Sequence, residues 1–120
     1  MPLSLQRPRW VPILAWLLAG FFVFGAIGNL LAPPDIAASY RRWGYPDWFH
    51  VVTGVLELAA AGLLLLRRTR AAGAALAASV MGAAVLTVLL HRDLGHLPPP
   101  LVVLVLSGLV GWGALRAGRS

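Results

Sequence analysis

Glu57 stands inside GVLELAAAGLLLL, residues 54–66, a run apolar enough for lipid. Placing an ionisable group at that depth costs about 2.5–3.5 kcal/mol, so by default it faces a protein interior and has a task there. His50 and Thr53 precede it at spacings of three and four residues, which puts all three on one helix face. Thr87 and His91 share a face of the next apolar segment by the same rule, and Asn29 falls near the outer end of the first. At about 1.5 Å per residue, Glu57 lies roughly 10 Å deeper than His50. With these faces turned inward, Asn29, His50, Thr53, Glu57, Thr87 and His91 form one polar cavity opening outward, and they are the candidate ligand-binding set.

Three uses of Glu57 follow from its chemistry. It can tie helices together through Asn29 or Thr87. It can bind a ligand or exchange a proton with one as a general acid or base. It can belong to a proton or ion path, although no second acidic residue falls within a span. An enzyme acting on an apolar, lipid-like substrate would use Glu57 for acid/base work, with His91 or His50 as relay. The missing second deep carboxylate ranks that reading below binding and leaves the catalytic residues unassigned. His50 and His91 are types that ligate haem. HRDLGH, residues 91–96, offers His91, Asp93 and His96 as metal ligands, but without a recognised metal spacing, and no metal site is assigned.

The elements that must hold these groups are apolar helices. The chain of 120 residues is 59% hydrophobic and only 12% charged, where a soluble domain averages about 25% charged residues. So small a body cannot hide that much apolar surface from water; lipid is the solvent, and the whole of 1–120 reads as a single transmembrane domain. The blocks 11–31, 48–66 and 71–90 fit the roughly 20 residues needed to cross hydrocarbon. The fourth, Leu101 to Leu115, extends to 99–115 with the prolines before it in the first turn. The expected fold is all-α: a four-helix transmembrane bundle with a short amphipathic segment between helices one and two. Asp35 should cap that segment and Gly44 end it. Asp47 also reads as a cap. Tyr40, Trp43, Tyr45 and Trp48 are ring types of the membrane–water boundary, as are Trp10, Trp16 and Trp112. In the third block Ala74, Ala78 and Gly82 recur every fourth position, a small-residue face for close helix contact, with Gly54 and Gly62 as counterparts on the second.

All ten basic residues are arginine, and the net charge is +6. Arg7, Arg9, Arg67, Arg68, Arg70, Arg116 and Arg119 fall on one side of the spans; Arg41, Arg42 and Arg92 fall on the other. The positive-inside rule puts both termini in the cytoplasm. With arginines grouped between apolar blocks and no aromatic–basic platform, nucleic acid is not an expected partner. The chain has no cysteine, which excludes disulfides, thiolate metal sites and thiol redox chemistry.

The segments GNLLAP, RWGYPDWFHVVTGVLELAAAGLLLL and MGAAVLTVLLH, in that order around a basic turn, resemble the DoxX-like family of small four-helix integral membrane proteins. Gly44-Tyr45-Pro46 with Trp48, then Gly54 with Glu57, then Met81-Gly82-Ala83 and His91 carry the likeness, which covers about residues 12 to 115. The resemblance implies a multi-pass protein of the bacterial cytoplasmic membrane, with Glu57 as the intramembrane glutamate and Asn29 and His91 as its companions. It also implies association with redox complexes. The expected roles are therefore binding of a small hydrophobic molecule such as a quinone, service as membrane subunit to a redox partner, or a structural role in membrane assembly. Partners beyond the bilayer would be that redox subunit or further copies of the chain.

Overall fold

The computed structural model describes residues 9–118, all helical apart from turns. Arg7 and Arg119 lie outside the described residues. Among the described residues five helices follow one another: α1 Trp10–Leu31, α2 Pro34–Arg42, α3 Phe49–Leu65, α4 Arg70–Leu90 and α5 Pro98–Gly118, with a 3-10 turn at Leu94–His96 before the last. Helices α1, α4 and α5 are long and apolar enough to cross a membrane; α3 is a shorter apolar helix of 17 residues. At 1.5 Å per residue it covers about 25 Å, less than a hydrocarbon core of about 30 Å. The shortfall has a local cause. Trp48 and Leu66, the ends of the expected span, both lie outside the helix, and Leu66 turns to an extended conformation.

Around the core, α1 packs on α3, α3 on α4, α4 on α5, and α5 back on α1. Ala15, Leu18, Ala19 and Phe22 of α1 meet Ala60, Ala61 and Leu64 of α3, Ala74, Ala77 and Met81 of α4, and Val103 and Val110 of α5. Small residues dominate this cluster, so the backbones approach closely, as expected where no hydrophobic effect drives helices together. One such close approach is at Gly73: a Cβ there would stand 2.7 Å from the Leu64 nitrogen. The packed face of α4 is thus Gly73, Ala74, Ala77 and Met81. This corrects the expected Ala74–Ala78–Gly82 stripe: Ala78 is only half-buried and Gly82 faces open space. On α3, Gly54 lies against Leu30, while Gly62 has no neighbour. Stacked Trp10 and Trp112 bring the start of α1 to the end of α5, with Arg116 over the Trp112 ring.

Two expected caps are not caps. Asp35 lies inside the first turn of α2, behind Pro33 and Pro34, and Trp48 rather than Asp47 precedes α3. Gly44 does close the α2 segment, at φ +82°, a left-handed conformation that costs glycine little. The basic turn caps α3 from beyond its end. Thr69 Oγ1 donates to the Leu63 carbonyl at 2.8 Å, Arg70 Nε to Leu64 at 2.9 Å and Arg70 Nη2 to Leu65 at 3.2 Å. Three carbonyls orphaned by the helix end are thereby satisfied, and the buried guanidinium sits where the helix dipole favours a cation. Ser79 and Ser107 bond carbonyls four residues back in their own helices.

Three substitutions test this packing in thermal unfolding. Gly73→Ala should cost about 1–3 kcal/mol through forced overpacking, while Gly82→Ala stays within about 0.5 kcal/mol of the parent. Arg70→Met should cost about 1–3 kcal/mol by uncapping α3. Equal melting of Gly73→Ala and Gly82→Ala would refute the close contact.

Candidate functional site

The α3–α4 hairpin is closed tightly at its Leu64–Gly73 end, and a cavity of about 590 Å³ lies at the other. Phe49, Thr53, Leu56 and Glu57 of α3 line it, with Met81, Ala84 and Thr87 of α4 and Phe21 and Asn29 of α1. Ile36, Ser39 and Tyr40 of α2, with Trp43 after it, cover the outer end beside His96, Pro99 and Pro100. The lining is mainly apolar, with a few convergent polar groups, the usual character of a small-molecule site.

Glu57 is buried, at 4% exposure, where α3 crosses α1. Its Oε1 accepts from Asn29 Nδ2 at 2.6 Å, and the same amide donates to the Gly25 carbonyl at 3.1 Å. Asn29 Oδ1 accepts from the Tyr40 hydroxyl at 2.6 Å. Both functions of the amide are therefore used, which also fixes its orientation. Glu57 Oε2 rests on Gly25, 2.7 Å from where a Cβ would be, so a side chain there would displace the carboxyl from this position. Oε2 has no hydrogen-bond partner among the described residues and is not fully buried, and Glu57 is one of the residues that line the cavity. Opposite, the Tyr45 and Thr87 hydroxyls bond each other.

Of the six residues expected to meet, Asn29, Thr53, Glu57 and Thr87 line this cavity. Thr53 directs its hydroxyl to the Phe49 carbonyl of its own helix. His50 stands behind the wall, its Nδ1 2.7 Å from the Asn29 carbonyl oxygen. His91 is exposed at the end of α4, with Nδ1 2.9 Å from the Thr87 carbonyl oxygen. The two histidines thus engage separate backbone carbonyls. Nor do His91, Asp93 and His96 converge: no group of three metal-ligating side chains occurs among the described residues. Tyr40, Trp43 and Tyr45, read from sequence only as boundary aromatics, contribute walls. The signal that could have identified them is their density around Gly44, which lets Tyr45 stack on Phe49 at 4.4 Å and Tyr40 pack against Tyr45, Phe49 and His50. Burial pushes the Tyr40 phenol above its ordinary range, so it stays a neutral donor to Asn29.

At the outer end one carboxylate gathers three partners. His96 Nδ1 lies 2.8 Å from Asp93 Oδ1, Arg42 Nη2 donates to Oδ2 at 2.9 Å, and Trp43 Nε1 to the same oxygen at 3.2 Å. The His96 bond, and then those from Arg42 and Trp43, hold the Asp93 carboxyl down at about 2. A depressed folded value means that this clasp stabilises above the unfolded carboxyl range near 4 and is lost as pH falls through about 2. The Asp93 carboxyl carbon should accordingly titrate by NMR with a midpoint near 2, and Asp93→Asn should speed amide exchange across 34–43 at neutral pH. An ordinary midpoint together with unchanged exchange would show that no clasp forms in solution.

The chain matches the model of the DoxX-like family over residues 13–110. No curated protein and no solved structure matches it. Three long apolar helices and this match make it a multi-pass membrane protein in contact with the bilayer, and the chain belongs to the DoxX-like family.

Proposed function

We propose that this protein binds a small hydrophobic molecule in the cavity beneath α2, with the polar end of the ligand on Glu57. The observation that carries the reading is Glu57, which lines a largely apolar space of about 590 Å³ and whose Oε2 has no hydrogen-bond partner among the described residues. Asn29 and Tyr40 hold the carboxyl in place, and Thr53 and Thr87 sit on the walls. A quinone is one chemistry that suits such a site, and a redox partner subunit is the corresponding context. In this reading α3 is a fourth span, its short length made up by the aromatic turn 43–48. Both termini and the turn at 66–69 face the cytoplasm of a bacterial cell, with α2 on the outer face. Trp10 and Trp112 stacking at one end supports an even number of crossings.

A second reading is favoured by the bond from Glu57 to Asn29, which joins α3 to α1: the carboxyl is a helix tie and the protein organises membrane assemblies. Two variants separate the readings. Glu57→Gln keeps an acceptor for Asn29 and should leave melting almost unchanged, while native mass spectrometry shows at least a tenfold loss of co-purified apolar ligand. Glu57→Leu removes the tie as well and should cost about 1–3 kcal/mol. Equal ligand retention by wild type and Glu57→Gln would exclude Glu57 from binding. No specific ligand in either protein would favour the tie alone.

A further inference from the structure

The cavity has two unlike sides. Toward the outer end it is roofed by α2, which Tyr40 bonds to Asn29 and which Arg42 and Trp43 bind to Asp93. Trp43 also packs edge-on against His96, so the roof joins the mouth of α5. The flank is different. Phe21, Val52 and Leu56 line the cavity and yet are 40%, 37% and 38% exposed, and Ala83 beside them is exposed as well. Leu56 and Ala83 each lie seven residues inward from the outer ends of α3 and α4, Phe49 and Leu90. That places them about 10 Å below those ends, within a hydrocarbon layer of about 30 Å. An opening at that depth faces acyl chains, not water.

We infer that the ligand enters sideways from the bilayer, between α1, α3 and α4, and is a membrane-dissolved amphiphile with one hydrogen-bonding end and an apolar body. This rests on the reading of the cavity as a ligand site and specifies its ligand class and its path. The apolar rim runs into the lipid-facing surface without a polar band, so such a molecule passes from acyl chains to the cavity while staying in an apolar medium. Its polar end finds Glu57 Oε2 at the inner limit of the path. A charged or strongly hydrated solute would have to leave water and cross that apolar rim to enter by the same path.

The chain has no cysteine, so one introduced thiol reports access. Ala84→Cys, on the cavity wall, is placed in proteoliposomes and treated with lipid-soluble N-(1-pyrenyl)maleimide or with the charged ethyltrimethylammonium methanethiosulfonate. Gly95→Cys, at an exposed position with nothing within 4 Å, is the reference for both reagents. Relative to that reference, the lipid-soluble reagent should label Ala84→Cys at least tenfold better than the charged one. Adding Ala83→Trp at the rim should cut the labelling several-fold. Comparable labelling by the charged reagent, or labelling by neither, would overturn side entry. Met81→Cys, also on the cavity wall, gives the same comparison where Ala84→Cys does not fold. The assay needs no bound ligand, so failed side entry leaves the Glu57 ligand test standing, and failed ligand retention leaves the labelling result standing.

Discussion

A carboxyl buried between apolar helices must be given a hydrogen-bond donor by its neighbours, and in this protein Asn29 gives it. Much of the outer half of the bundle follows from that one bond. Asn29 has to face α3, so α1 is fixed in rotation. Gly25 leaves the space that the second carboxyl oxygen occupies, and a side chain there would push the carboxyl aside. Gly54 likewise leaves space where the same crossing brings Leu30 onto α3. The side-chain oxygen Oδ1 of Asn29 then needs a donor of its own, and Tyr40 supplies it from α2. A leftover polar group in such a place costs about 1–3 kcal/mol or more, so Glu57, Asn29 and Tyr40 form a chain in which each member makes the next necessary.

The cavity is the geometric consequence of two kinds of packing in one hairpin. At the 66–69 turn, α3 and α4 are closed by Gly73, Ala74 and Ala77 and held by the Arg70 cap. At the far end the chain inserts rings: Tyr45 on Phe49, with Tyr40 against both. Rings fill space less closely than alanines do, and it is at this end that the cavity lies. The capped end gives rigidity, and the aromatic end gives room.

The sequence showed which residues belong to helices and which polar groups lie at one depth, because apolar blocks and helical spacing are local properties. Glu57 with Asn29 and Thr87 was legible on those grounds. The directions of the histidines were not. His50 and His91 have the right spacing, but each finds a backbone carbonyl nearer than the cavity, and spacing alone does not reveal that competition. Nor was the wall from α2 legible, since Tyr40, Trp43 and Tyr45 match the composition of any membrane boundary. The small-residue face of α4 was misplaced by one position for a similar reason. Alanine and glycine are so frequent in 71–84 that several stripes fit, and only the contact of Gly73 with Leu64 selects one.

Helix α2 shows how the two ends differ in energy. None of its residues is fully buried, and it is held by polar bonds together with the ring contacts of Tyr40. The Arg42–Asp93 pair is half exposed on the arginine side, and solvent screening weakens such pairs. The chain on either side turns through left-handed residues, Ala32 at φ +44° and Gly44 at φ +82°, so the segment joins its neighbours at two sharp corners. A roof held this way is the least stable part of the outer half. The inner wall, by contrast, depends on contacts that cannot be loosened without uncovering Glu57. A site built on that division can vary the roof and rim to suit a ligand while the carboxyl and its donor stay fixed.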